Sequence, residues 1–272
     1  MSALSPSVRP AAVAGMFYSA SQSTLNADVQ DYLAHAGATA VATPKALIVP
    51  HAGYIYSGPV AASAYACLAA ARSSISRVVL LGPTHRVAIT GLALPDAAAF
   101  DTPLGRVPLD TQLVHAVEAL PQVQQSRAAH AMEHSMEVQL PFLQVALDQF
   151  TLLPLAVGTA SAEEVAEVLD RVWGGPETLI VISSDLSHYH SYADAQRLDQ
   201  QTADQIVALR PLANHEQACG ATPVNGLLLC ARRRGLKVQL LDLRNSGDTA
   251  GDRSRVVGYG AFAVNETADH GR

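Results

Sequence analysis

Leu179-Ile180-Val181-Ile182 runs directly into Ser183-Ser184-Asp185-Leu186-Ser187-His188, and this stretch decides the fold. Four aliphatic residues in a row, without polar alternation, describe a strand buried on both faces, as in a parallel sheet covered by helices. The switch to polar residues puts chemistry at the carboxyl end of the strand, where open α/β sheets bind ligands. Two other segments repeat the pattern. Leu47-Ile48-Val49-Pro50 leads into His51-Ala52-Gly53-Tyr54, and Val78-Val79-Leu80-Leu81 leads into Gly82-Pro83-Thr84-His85. If the three strands are parallel neighbours, His51, His85, Asp185 and His188 converge on one crevice.

Working outward, short β-branched runs alternate with longer helical patterns. Strands are expected at residues 45–50, 77–82, 90–95, 152–157 and 178–183. Helices are expected at 59–71, 110–119, 161–173, 193–209 and 222–234, with an Asp110 cap, a Ser161/Glu164 capping box and Pro223 at a first helical position. Residues 132–148 also read as a helix, kinked or broken at Pro141. The final strands, 237–244 and 255–264, follow one another without a helix and so pair antiparallel. The whole reads as one α/β domain over residues 1–272, with a mixed, mostly parallel central sheet flanked by helices.

Composition excludes several classes. Of the 272 residues 49% are hydrophobic and only 15% charged, which excludes a disordered chain. The net charge of −6 argues against nucleic acid, which calls for a basic stripe; Arg232-Arg233-Arg234 simply closes a helix. The longest apolar runs are far below the ~18 residues of a membrane span. Residues 1–10 show no apolar leader core, and three cysteines cannot form a disulfide framework, so a reducing, cytoplasmic setting is expected. No nicotinamide fingerprint, phosphate-binding loop or nucleophile elbow is present.

Cys219 precedes Gly220 and a helix opening at Thr222-Pro223. A helix N-terminus favours thiolate, a good ligand for iron, zinc or copper. Cys67 and Cys230 lie in apolar helical runs and read as inert core. On one continuous helix His130, His134 and Glu137 would share a face. For His130 a solvated, charged face competes equally with a site, whereas the density of acids without a balancing lysine favours a site for Glu133, His134 and Glu137.

At this point the motifs resemble a family. Arg9-Pro10-Ala11, Ala14-Gly15-Met16-Phe17-Tyr18, Pro50-His51-Ala52-Gly53-Tyr54-Ile55-Tyr56-Ser57-Gly58, Leu81-Gly82-Pro83-Thr84-His85, Glu133-His134-Ser135-Met136-Glu137-Val138-Gln139-Leu140-Pro141, Ser183 to His188 and Cys219-Gly220 stand in the order of the Memo family, the Memo-like component of the AmmeMemoRadiSam grouping. The resemblance implies a fold similar to class III extradiol dioxygenases and a metal site corresponding to His51, His85 and Cys219. Asp185 and Glu137 would lie nearby, and His188 would match an acid/base histidine. The dioxygenases use a carboxylate where this chain offers Cys219; a thiolate alters softness and redox potential, so ring cleavage does not carry over. The resemblance also implies functional association with AMMECR-like and radical-SAM proteins. It implies a small-molecule or peptide ligand in the cleft as well, with Tyr18, Tyr54 and Tyr56 at the rim and Glu133, His134 and Glu137 on the ligand side.

Three functions compete. The first is a non-haem redox enzyme using iron, as Fe(II), or copper, with His188 moving protons and Asp185 orienting a ligand or a histidine. The second is a peptide-binding or scaffold module with a vestigial cleft. The third is a hydrolase with Cys219 as nucleophile and His188 as base, ranked last because no oxyanion-hole motif is apparent.

Overall fold

Period-two alternation sorts each central strand between two cores. Leu47, Val78, Leu80, Leu179 and Val181 pack into one apolar layer, while Ala46, Ile48, Val79, Leu81, Ile180 and Ile182 pack into the other. A strand buried on both faces therefore needs helices on both sides. The structure, a computed structural model, describes residues 7–37 and 43–266. Of residues 1–10, read above for a leader core, only 7–10 are described; the remainder lies outside the described residues.

The chain begins with β1 (Val8–Arg9), α1 (Gln22–His35), β2 (Ala46–Val49) and α2 (Tyr54–Tyr65), the last continued by a 3-10 turn over Ala66–Ala71. Then come β3 (Arg77–Pro83), β4 (Leu92–Leu94), β5 (Ala99–Thr102), β6 (Gly105–Pro108), α3 (Thr111–Val117), β7 (Val123–Gln125), α4 (Arg127–Ala131) and α5 (Gln139–Ala146). The second half runs β8 (Thr151–Val157), α6 (Ala162–Arg171), β9 (Thr178–Ser183), β10 (His188–His190), α7 (Tyr192–Val207), α8 (Ala221–Arg233), β11 (Lys237–Asn245) and β12 (Val256–Asn265).

Among the described residues nine strands form one mixed sheet in the order β10-β12-β2-β9-β3-β8-β4-β7, with β11 also on β12. Its centre, β2-β9-β3-β8, is parallel. β12 runs antiparallel to both β2 and β11, so the expected mixed sheet is present. β9 lies between β2 and β3, and this brings the three polar strand ends side by side. Helices α1, α2 and α5 feed one core and α3, α6, α7 and α8 the other. A separate small sheet, β1-β5-β6, anchors the start of the described chain.

Two helices differ from expectation for reasons of proline geometry. Pro141 is the third residue of α5, in the first turn, where the missing N–H forms no helical bond anyway. It begins a helix instead of kinking one, and residues 132–138 are loop and turn, not helix. Pro59 lies inside α2, not at its start, because the helix is already under way from Tyr54 with Gly53 as its cap. Helix α1, capped by Ser21 on the Thr24 N–H, has little signature in the sequence, since only Leu25 and Val29 of it are buried.

Candidate metal centre

Three imidazoles meet at the carboxyl ends of β2 and β3. One ring nitrogen from each of His51, His85 and His134 lies within 4.8 Å of the others. His85 and His134 stack at 4.7 Å, and His51 stands edge-on to both, at 5.2 and 5.4 Å. His51 follows β2 and His85 follows β3. His134 comes from the turn before α5. That turn seats on Gly82, where a Cβ would come within 2.6 Å of Ser135 Oγ.

The hydrogen bonds behind two of these rings fix which nitrogen faces the centre. Ser183 Oγ donates to the Ser135 carbonyl (2.5 Å) and accepts from Gln139 Nε2 (2.7 Å). Its one proton is spent, so His51 Nδ1, 2.8 Å away, is the donor. The lone pair of His51 is then on Nε2. Gln139 is itself oriented, because Nε2 also donates to the Pro50 carbonyl and Oε1 accepts from Tyr65. On His85, Nδ1 faces Glu133 Oε1 at 2.9 Å while its backbone N–H donates to Glu133 Oε2 at 2.6 Å. A carboxylate can only accept, so Nδ1 of His85 is the donor and Nε2 is the nitrogen left for the centre. This is the arrangement that orients metal-ligating histidines.

Electrostatics favour ligation over protonation. Burial, reinforced by the neighbouring imidazoles, holds His51 well below the ordinary histidine range. Burial also takes His134 down to about 4, against the pull of Glu133. Both rings are neutral at neutral pH and bind a cation without first losing a proton. Burial alone would raise Glu133, but the bonds from His85 and Ser135 win and hold it at about 2.

Cys219 lies against this group. Its Sγ is 3.4 Å from His51 Nε2 and accepts the Asp185 N–H at 3.3 Å. Gly220 allows the approach, since a Cβ there would lie 2.7 Å from that of Ser184. The helix N-terminus does not make the thiol acidic here: burial, aided by the Asp185 charge, pushes it up to about 12. Asp185 is buried and accepts the His51 backbone N–H through Oδ1 at 2.7 Å. Burial raises it to about 6 despite that bond. The field of His188 reaches both His51 and Asp185.

The remaining candidates lie below or beside the centre. Glu137 is fully buried and accepts from Arg9 Nη1 (2.5 Å), the Ala12 and Val13 N–H groups and the Tyr18 hydroxyl (2.6 Å). Tyr18 and Tyr54 are buried too, and Tyr54 donates to the Val138 carbonyl. These residues fasten the segment 9–18 to the turn that carries Glu133 and His134; Phe17, from the same segment, packs against His134 at 4.7 Å. His130 faces away, its Nε2 on the Ala93 carbonyl. His130, His134 and Glu137 do not share a helix face, because the segment between α4 and α5 is not helical. Sequence reasoning missed Ser183, Gln139 and Arg9 as supporting groups; the one available signal was that polar Gln139 stands between the apolar Val138 and Leu140.

A family model described as Memo-like protein matches residues 9–263. A MEMO1 family protein of Aquifex aeolicus is 38% identical over 269 residues, covering 93% of this chain and 97% of that protein. Another, from Archaeoglobus fulgidus, is 34% identical over 264 residues, covering 91% and 95%. A solved structure of an uncharacterized protein from Escherichia coli K12 aligns with a TM-score of 0.49 and 15% identity, over 79% of this chain and 98% of that one. With a match of this extent across every motif that builds the centre, the chain belongs to the Memo-like protein family.

Proposed function

We propose that the protein is a non-haem metal-dependent oxidoreductase whose metal is iron, as Fe(II), with copper as the alternative ion. The observation that carries this reading is the convergence of His51, His85 and His134 with two of the rings locked, Nε2 forward, by Ser183 and Glu133. Imidazole donors suit zinc, copper, iron and nickel and disfavour calcium and magnesium. The sulfur of Cys219, 3.4 Å from His51 Nε2, adds a soft donor of the kind that suits iron and copper as well as zinc, and it stands as a further ligand beside the imidazoles. Metal–nitrogen bonds are about 2.0–2.1 Å, so tetrahedral nitrogens sit about 3.3 Å apart; the group needs only a modest contraction to close on an ion. When bound, such an ion supplies one-electron chemistry and open positions for oxygen or substrate.

The protein's own groups supply the rest. Asp185 holds the His51 backbone and so positions that ring. His188 carries protons at the edge of the centre. The buried floor formed by Gln139, Ser183 and Tyr65 keeps water away from the back of His51.

The test is anaerobic reconstitution with Fe(II), followed by elemental analysis and oxygen-uptake measurement. We expect about one metal per chain, and its loss in His51→Ala. Unchanged metal content in that variant sinks the site; a metal that binds in the wild type but supports no oxygen consumption with any reductant sinks the redox assignment.

A further inference from the structure

His188 is placed through its backbone. Among the described residues its ring forms no hydrogen bond, and the ring of Tyr189 stands edge-on to it at 5.8 Å. The backbone that carries it is strained. Tyr189, the next residue, has a φ of 62°, left-handed backbone that residues other than glycine rarely adopt. The pairing of β10 with β12 shifts register at the same place. Such strain persists only where the surroundings over-determine it.

The surroundings that do so are Gly258 and Asp199. Gly258, in β12, accepts the Leu186 N–H and donates to the Ser187 carbonyl, both at 2.8 Å. Asp199, in the middle of α7, accepts the Ser187 N–H through Oδ1 at 3.0 Å. The carboxylate presses on Gly258, where any Cβ would collide with it. A helix and a strand thus grip the residue just before His188.

A carboxylate is a costly choice for that bond. Asp199 is only 2% exposed, and its Oδ2 has no partner among the described residues. The long polar side chains of the adjoining cleft are bonded elsewhere, Gln196 to Tyr192, Gln200 to Asp204, Arg244 to Asp242 and Asp248 to Tyr192. Burial pushes Asp199 above the ordinary carboxyl range, against the pull of the Ser187 N–H. An asparagine would accept the same N–H without the cost of burying a charge. The fields that reach this carboxylate are those of His190 and His188, both on β10. The field of His188 also reaches His51 and Asp185. His188 is therefore coupled to Asp199 as well as to the centre.

We infer that Asp199 is the positioning residue of His188: its carboxylate pins the strained backbone that carries the ring, and its charge steadies a proton on that ring. The inference rests on His188 being the proton carrier of the proposed centre, and it adds the group that tunes it.

NMR titration of the imidazoles in the metal-free full chain, with His188 assigned through His188→Gln, tests it. Asp199→Asn keeps an acceptor for the Ser187 N–H and removes the charge. Its melting temperature should not fall, and the His188 midpoint should drop by about half a pH unit, as the loss of a nearby opposite charge requires. His115, on α3 with Glu118 as its partner, should keep its midpoint. Asp199→Ala removes the grip as well, so its melting temperature should fall. In the Fe(II)-loaded protein the limb of the oxygen-uptake profile set by His188 should move with the midpoint in Asp199→Asn. An unmoved His188 midpoint in Asp199→Asn would overturn the inference, because a purely structural acceptor leaves it in place. An Asp199→Ala protein as stable as the wild type would overturn the grip. Absence of oxygen uptake in the wild type would count against the redox assignment alone, since the midpoints of the metal-free protein still report on Asp199.

Discussion

Glu133 and Glu137 stand four residues apart on one segment, both buried, and they do different work. Glu137 spends its oxygens on Arg9, two backbone N–H groups and the Tyr18 hydroxyl. It is a rivet between the segment 9–18 and the turn before α5. Glu133 spends its oxygens on His85 and the Ser135 N–H, and so sets the tautomer of a metal-facing ring. The contrast teaches that the role of a buried carboxylate is set by its donors and not by its place in a motif. A guanidinium and backbone amides make it structural, and an imidazole with a second free nitrogen makes it part of the chemistry.

The sharpest way to break the comparison is to delete the rivet. Glu137→Ala leaves Arg9 buried without its partner, and such losses cost about 3–5 kcal/mol. Urea denaturation should show that loss, while the metal affinity of the fraction that remains folded stays within a few-fold of wild type. A normally stable Glu137→Ala protein that loses metal would reverse the two roles. Glu133→Gln should do the opposite. Loss of an orienting carboxylate lowers metal affinity roughly 10–100-fold, and competition against a chelator will measure it.

Acid titration sharpens the contrast further. Glu133 falls from an ordinary 4.5 to about 2 in the fold. A depressed carboxylate stabilises fully above its unfolded value and loses that contribution as pH drops through the folded one. Wild type should therefore lose its advantage over Glu133→Gln between about pH 4.5 and pH 2, by on the order of 1–3 kcal/mol. An advantage that persists below pH 2 would mean that the carboxylate is not ionised in the fold.

The smallest effect belongs to a third carboxylate. Asp185 is raised from 3.8 to about 6, the reverse sign, so it costs stability once both states ionise. Asp185→Asn keeps an acceptor for the His51 N–H. It should stabilise the metal-free protein by on the order of 1 kcal/mol above pH 6 and be neutral below pH 3.8. Destabilisation at pH 8 would show that its charge is compensated in the fold.

The strands that carry the centre are legible because a continuous aliphatic run that ends in polar residues fits a strand buried on both faces and little else. Residues 178–183 and 77–82 are β9 and β3 almost without change, and the adjacency of β2, β9 and β3 brings His51, His85 and Asp185 together. His134 is legible only as a residue near the ligand, because the apolar spacing of Met136, Leu140 and Leu143 suggests that one helix runs through it. By the same spacing Pro141 reads as an interruption of that helix, when it marks the beginning. Periodicity cannot tell a turn that leads into a helix from the helix itself. Tyr18 and Tyr54, expected at a rim, are buried, since an aromatic beside glycines looks the same in sequence whether it lies above or beneath a site.

The bonding beneath His51 has a further consequence. Tyr65 donates to Gln139, Gln139 to Ser183, and Ser183 to the Ser135 carbonyl, so each hydrogen on that path already has an owner. The floor ends on a carbonyl that has no proton to pass on, so it is a dead end for proton conduction, and exchange between bulk water and the face of His51 runs across the opposite edge, where His85 is exposed.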